Sequence, residues 1–238
     1  MPVTPPQFRS TGFGREKLKP GLRLPRHRHR HGYIAVVLSG GYQEAGLGGR
    51  FDVRAGDVVI HRPFDAHLDR VSRGGAEVLN LPLAESLDLP VIFTIIDPDE
   101  IARAAERNPH TAALLLTPAG TVQAADDWPD RLASDLSNSP DQILSEWAED
   151  AGLARETLSR GFRKAYGVTP ARFRTEVRAH RALSLLSESD VPLAEVAAEC
   201  AFADQPHLSR AILHLTGLTP GAWRRRSIPF KTDTARPA

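Results

Sequence analysis

The chain has 238 residues, 41% of them apolar and 25% charged, and its 30 Lys and Arg against 29 Asp and Glu leave a formal net charge of +1. Such a length can hold two ordinary domains with separate cores, and so small a charge excludes a protein that coats nucleic acid through global basicity, so any nucleic-acid surface must be local. The single Cys200 excludes an intramolecular disulfide, and with no apolar signal segment in MPVTPPQFRS and no long apolar run elsewhere, the expectation is a cytoplasmic protein with no membrane partner.

In chain order, the first predicted elements are strands. Residues 33–38, 50–53, 57–61, 77–81 and 91–96 are β-branched or aromatic-rich runs separated by Ser39-Gly40-Gly41, Gly48-Gly49 and Ala55-Gly56-Asp57. They predict an all-β barrel or sandwich over residues 1–97. Just ahead of them stands Arg26-His27-Arg28-His29-Arg30-His31. On a strand, alternate residues share a face, so the imidazoles would point one way and the arginines the other.

From residue 99 helical spacing takes over, in 100–107, 111–116 and 130–136, so residues 98–137 read as a helical connector. Its stripe Ile101, Ala104, Ala105, Leu114 and Leu115 is more apolar than a linker needs, which predicts a homodimer formed through the N-terminal half.

Residues 138–238 contain a repeat. GLARETLSRGFRKAYGVTPARFR, from Gly152, aligns without a gap on FADQPHLSRAILHLTGLTPGAWR, from Phe202, and upstream Ile143 and Ala148 fall on Leu193 and Ala198. Each copy predicts a helix, a turn and a second helix. Ser139 is expected to cap the first copy with Pro140 at its first position, Pro192 to start the second, Asp204 to cap its second helix, and Gly167 and Gly217 to end the second helices. Ile143, Trp147, Leu153, Leu158 and Phe162 would pack one small core, and Ala179, Ala182, Leu183 and Leu186 form the stripe of a joining helix over residues 170–187. Between residues 155 and 181, eight basic residues face only Glu156 and Glu176, the local electrostatic footprint of duplex binding.

These motifs, above all LAEVAAECAFADQPHLSRAILHLTGLTPGAWRR (residues 193–225), resemble the DNA-binding domain of AraC/XylS-type transcriptional regulators. The resemblance implies two helix-turn-helix units on one central helix, with second helices that enter successive major grooves of a promoter operator. The residues it implies for DNA contact are Arg155, Glu156, Thr157, Ser159, Arg160, Arg163 and Lys164 in the first unit. In the second they are Gln205, Pro206, His207, Ser209, Arg210 and His214. RNA polymerase is a further partner to be expected of a regulator that activates.

The N-terminal half resembles the cupin barrel that serves such regulators as a sensor. Gly21, His27, His29 and Gly40 keep the spacing of the first cupin motif, and AGDVVIHRPFDAH (residues 55–67) is similar to the second. By that resemblance His27, His29 and His67 converge inside the barrel, with His61 and Tyr33 nearby, Tyr33 standing where metal-binding cupins place a carboxylate. Three neutral imidazoles can hydrogen-bond a small-molecule effector or hold Zn, Fe, Ni or Mn with a position left open. No other cofactor and no catalytic residue is expected; the alternative is a metal-dependent cupin enzyme, a dioxygenase or isomerase, with an accessory helical domain.

Overall fold

The strand-forming half is built on two long strands that the glycines bend rather than end. The computed structural model describes residues 8–9, 11–84, 87–139 and 141–227. Among these, β1 (Gly14–Leu18), β2 (Arg23–Arg28), β3 (Tyr33–Gly46), β4 (Gly49–Arg54), β5 (Asp57–His61), β6 (Ala66–Pro82) and β7 (Ile92–Thr94) form one antiparallel sheet. Its order is β1-β6-β3-β5-β7, with β2 also on β6 and β4 also on β3. Ser39-Gly40-Gly41, expected as a turn, lies inside β3 as a pair of bulges, with register shifts at Val37/Ser39 and Gly40/Tyr42. Gly40 has φ +67°, and a Cβ there would lie 2.1 Å from the Gly75 carbonyl oxygen, so the two bent strands touch where only glycine fits.

Both faces of the sheet are buried. Ile34, Val36, Val58, Ile60, Leu79 and Leu81 lie on one, against α1 (Pro98–Arg107) and α2 (Pro109–Leu114); Tyr33, Ala35, Val37, Tyr42, Val59 and Val78 lie on the other. At ~1.5–3 kcal/mol for each large apolar side chain, these two layers are the main stabilising term of this half. The helices start where their caps dictate: Asp97 accepts from the Glu100 amide, and Asn108 from those of His110 and Thr111, each followed by proline. The stripe read as a dimer surface is largely used up here. Ile101 and Ala104 are buried against the sheet and Ala105 packs partly on it, leaving only Leu114 (61% exposed) and Leu115 (49%) outward.

The helices continue as α3 (Trp128–Asn138), α4 (Leu144–Asp150), α5 (Arg155–Tyr166), α6 (Pro170–Glu188), α7 (Leu193–Glu199), α8 (Gln205–Thr216) and α9 (Pro220–Ser227). The chain divides into two units. One, residues 7–135 and 143–170, contains the sheet, α1, α2 and the first helix pair, α4 and α5; the other, residues 136–142 and 171 onward, contains most of α6 and the second pair, α7 and α8, with α9. In the second unit Ala179, Ala182, Leu183 and Leu186 are buried as expected, and the Trp223 indole of α9 donates to Ser187 Oγ at 2.9 Å.

The repeat is real in its elements but not gap-free. Arg155 matches Gln205, yet Leu144 matches Leu193 and Asp150 matches Glu199, so the second copy carries one extra residue between its helices. The same left-handed turn residue is Gly152 (φ +65°) in the first copy and Ala201 (φ +56°) in the second. Asp204, Gly167 and Gly217 cap as expected. Ser139 does not: α4 begins at Leu144, its N-cap is Ile143 with no side-chain hydrogen bond, and Ser139 only offers its carbonyl to the Gln142 amide. Pro140 lies outside the described residues. Ile143, expected in the small core, is 52% exposed at that cap, whereas Leu158 and Phe162 are buried.

Candidate functional site

Two kinds of site emerge, one on the helix pairs and one inside the sheet unit. On α5 the first turn presents Arg155, Glu156 and Thr157, and Arg160, Arg163 and Lys164 follow, all exposed, while Ser159 is half-buried. On α8, Gln205, Pro206 and Arg210 are exposed and His207, Ser209 and His214 half-buried, with His207 edge-on to Phe202 at 5.1 Å. The Asp204 cap fixes the start of α8 through a 2.6 Å bond to the His207 amide. Part of the basic stripe beyond α5 is engaged: Arg172 pairs with Glu176, and Arg174 donates to the Gln142 carbonyl.

The second site is a buried histidine chamber. His27 is opposite His67 in the β2–β6 register, with ring centroids 4.4 Å apart. His29 joins them at 5.0 Å from His27, His61 lies 4.4 Å from His67, and Tyr33 stacks on His61 at 4.3 Å. All five residues singled out from the sequence thus meet, whereas His31 is exposed and stands apart. Two acidic residues that sequence reasoning missed complete the chamber. Glu44 Oε2 is 3.6 Å from His61 Nε2, and Asp69 Oδ2 is 3.8 Å from His67 Nε2.

Burial decides the charge states. It pulls His29 down to about 4, aided by the neighbouring His27, and His61 down to about 3, while His67 falls well below the usual histidine range. It pushes Glu44 well above the carboxylate range and Asp69 up to about 7. At 3.6 Å, Glu44 Oε2 and His61 Nε2 are too far apart for a hydrogen bond. Among the described residues, four buried atoms of the chamber have no hydrogen-bond partner: His29 Nε2, Glu44 Oε2, His67 Nδ1 and Asp69 Oδ1. Orphans of this density are costly unless something binds them.

Cavities surround the chamber. One of about 970 Å³ reaches His29 and Tyr33 past Arg9, Arg30 and Arg62, with Phe8 and Phe13 in its wall. A second, about 300 Å³, opens on His27, His29 and Asp69, and a third of only about 30 Å³ is bounded by Glu44, His61 and His67.

The outer side of the same strands grips α5. Arg26, next to His27, donates to the Tyr166 carbonyl at 3.2 Å; Arg70, next to Asp69, donates to the carbonyls of Lys164 and Ala165. These are last-turn carbonyls that the helix itself leaves unsatisfied. Gly167, which ends α5 at φ +76°, leaves no room for a Cβ: one would sit 2.9 Å from Leu68 Cδ2. Beside this contact Arg50 of β4 holds the Asp130 carboxylate at 3.0 and 2.7 Å, and the Tyr166 hydroxyl donates to the same carboxylate at 2.8 Å.

Residues 147–226 match the model of a helix-turn-helix domain family. The chain is 30% identical over 109 residues to the HTH-type transcriptional activator RhaR of Escherichia coli (strain K12), which covers 46% of this chain and 38% of that protein. The chain therefore spans under two-fifths of the length of the curated relatives it matches. Among solved structures it is similar to the DNA-binding domain of AdpA in complex with a target DNA (28% identity, 42% of this chain, 93% of that one, TM-score 0.39) and to ToxT from Vibrio cholerae (10% identity, 89% and 95%, TM-score 0.38). Residues 147–226 thus carry a helix-turn-helix domain. Over this part the chain is similar to transcriptional regulators of the AraC/XylS type, among them the activator RhaR. Among the described residues no helix is long and apolar enough to cross a membrane.

Proposed function

We propose that the protein is a transcriptional regulator that binds sites in double-stranded DNA through α5 and α8 and changes its hold on them when a small-molecule or metal effector enters the histidine chamber of a cupin-like sensor. The observation that carries this reading is the alternation along β2 and β6. His27, His67 and Asp69 line the chamber, while their neighbours Arg26 and Arg70 grip the last turn of α5. An effector that shifts either strand by a fraction of an ångström changes those bonds, so the coupling is short and has named contacts at both ends. The exposed arginines of α5 and Gln205, His207 and Arg210 of α8 are suited to phosphate and base-edge contact, two readers meeting major grooves about one helical turn, roughly 34 Å, apart. RNA polymerase and a second copy of the chain are partners to be sought in the same experiments. The metal-dependent enzyme reading is the weaker one: the helix pairs and the relatives both belong to regulators.

The test is a fluorescence-anisotropy titration of the full chain against DNA selected from a random pool, at several salt concentrations. Arg160→Ala and Arg210→Ala should weaken all sequences alike and flatten the salt dependence, whereas Thr157→Ala or His207→Ala should cost about 1–3 kcal/mol at single base positions. Selection that yields no preferred sequence would refute the reading.

A further inference from the structure

The chamber has two sides with different chemistry. His27 and His29 face the larger cavities: His27 Nδ1 bonds the Pro25 carbonyl at 2.9 Å and His29 Nδ1 shares a 2.8 Å bond with Thr11 Oγ1, which leaves the Nε2 of each for a ligand. A space of about 300 to 970 Å³ suits an organic molecule, not a bare ion. The other side is closed. Glu44, His61 and His67 are all buried, their donor atoms lie within 4.8 Å of one another, and the void they bound measures about 30 Å³.

We propose that Glu44, His61 and His67 form the seat of a divalent transition-metal ion, and that His27 and His29 are left to the effector; this rests on the reading of the chamber as the sensor site. Three observations carry it. First, two donors ~2.1 Å from a common tetrahedral ion are about 3.4 Å apart, and Glu44 Oε2 lies 3.6 Å from His61 Nε2, too far for a hydrogen bond and close to a shared ion's span. Second, Glu44 Oε2 and His67 Nδ1 are both buried without hydrogen-bond partners, a costly arrangement that a bound ion resolves at once. Third, two imidazoles and one carboxylate are the donor set of borderline dications such as Zn, Fe, Ni and Mn, and the set places the negative charge that the His27, His29 and His67 group lacks. Asp69 Oδ2, 3.8 Å from His67 Nε2, adds a second carboxylate beside the seat without hydrogen-bonding that ring. Tyr33, at the position where a motif carboxylate would stand, stacks on His61 instead and packs the seat's wall.

The experiment titrates the metal-stripped full chain with Zn²⁺ by calorimetry, measures zinc content by mass spectrometry, and records the visible spectrum of the Co²⁺-loaded protein. The expected result is one ion per chain, with Glu44→Gln and His61→Gln each weakening binding about 100-fold or more and altering the Co²⁺ spectrum, while His27→Gln and His29→Gln stay within about 3-fold of the parent. Circular dichroism on each variant separates a lost seat from a lost fold, and if Glu44→Gln does not fold, His61→Gln decides. Loss on His27→Gln or His29→Gln with retention in Glu44→Gln would overturn the proposal, as would a parent chain that takes up no Zn²⁺. Zinc content is read without DNA and DNA affinity without zinc, so failure of the seat leaves the regulator reading to be judged on its own titration.

Discussion

Tyr166→Phe removes one oxygen from the point where strand β4, helix α3 and helix α5 meet. The hydroxyl donates to Asp130 Oδ1 at 2.8 Å, while the ring stacks on Phe162 at 4.8 Å, a contact that phenylalanine keeps. The loss is therefore one hydrogen bond to a charged acceptor, about 1.5–3 kcal/mol, a sizeable share of the ~5–15 kcal/mol that holds a domain folded. Asp130 retains Arg50, so its charge stays paired. Asp130→Asn instead leaves Arg50 with the exposed Asp127 carboxylate at 2.9 Å as its remaining partner, so the cost should be that of the lost charge-assisted hydrogen bonds, about 1.5–3 kcal/mol, and not that of an uncompensated buried charge. Urea unfolding of both single variants and of the double variant should show the costs falling well short of additive, because both act on one carboxylate. Burial, the largest single influence, pushes the Asp130 carboxyl up, but the hydrogen bonds of Arg50, Asp127 and Tyr166 together outweigh it and hold the group below its ordinary 3.8. A depressed carboxyl stabilises the fold above its unfolded value, so the Asp130 contribution should be complete above pH 3.8 and vanish as pH falls below it. A Tyr166→Phe cost under about 0.5 kcal/mol would refute the assignment of this bond as a link between sheet and α5.

Other expectations follow from local geometry. Ala201→Gly should raise stability by about 1 kcal/mol, since Ala201 sits at φ +56° where glycine has no Cβ penalty; a thermal melt with no gain would contradict the left-handed turn. Gly167→Ala should destabilise by more than that strain alone, because its Cβ would press on Leu68 and Arg26, and chemical denaturation of the sheet unit reads the difference. His61 is held at about 3 and His29 at about 4 against an ordinary 6.5, so the fold takes up protons later than the unfolded chain. Metal-free protein should be stable above pH 6.5 and lose melting temperature as pH falls toward 4; a flat profile would mean the rings are not buried neutral.

Sequence reasoning reached the helix pairs because their signals are local: Gly167 and Gly217 at the C-caps, Asp204 at an N-cap, and the paired Ser-Arg positions. It missed the extra residue in the second turn because Ala201 adopts by tertiary constraint what Gly152 adopts freely, and an alanine carries no turn signal. It found the histidines but not Glu44 or Asp69. The bulges at 37–42 reverse which parity of β3 faces inward, so Tyr33 and Ala35 share a face with Tyr42 and Glu44, a change of phase that no strand periodicity reveals. β1 escaped notice, and β2 was legible only in the alternating His and Arg at its end, for a simpler reason. GREKL and RLPRHR are charged strands, stabilised by pairing with β6 and not by an apolar pattern of their own.

The central claim is that α5 and α8 both read DNA, and that the sensor half controls that reading through Arg26 and Arg70. Hydroxyl-radical footprinting of the full chain on its selected sequence tests it most directly, run with the parent and with the Arg26→Ala, Arg70→Ala double variant. The account predicts two protected blocks about 10 base pairs apart on one face of the duplex, the block read by α5 alone changing in strength in the double variant. A single block, or two blocks that the double variant leaves unchanged, would contradict it.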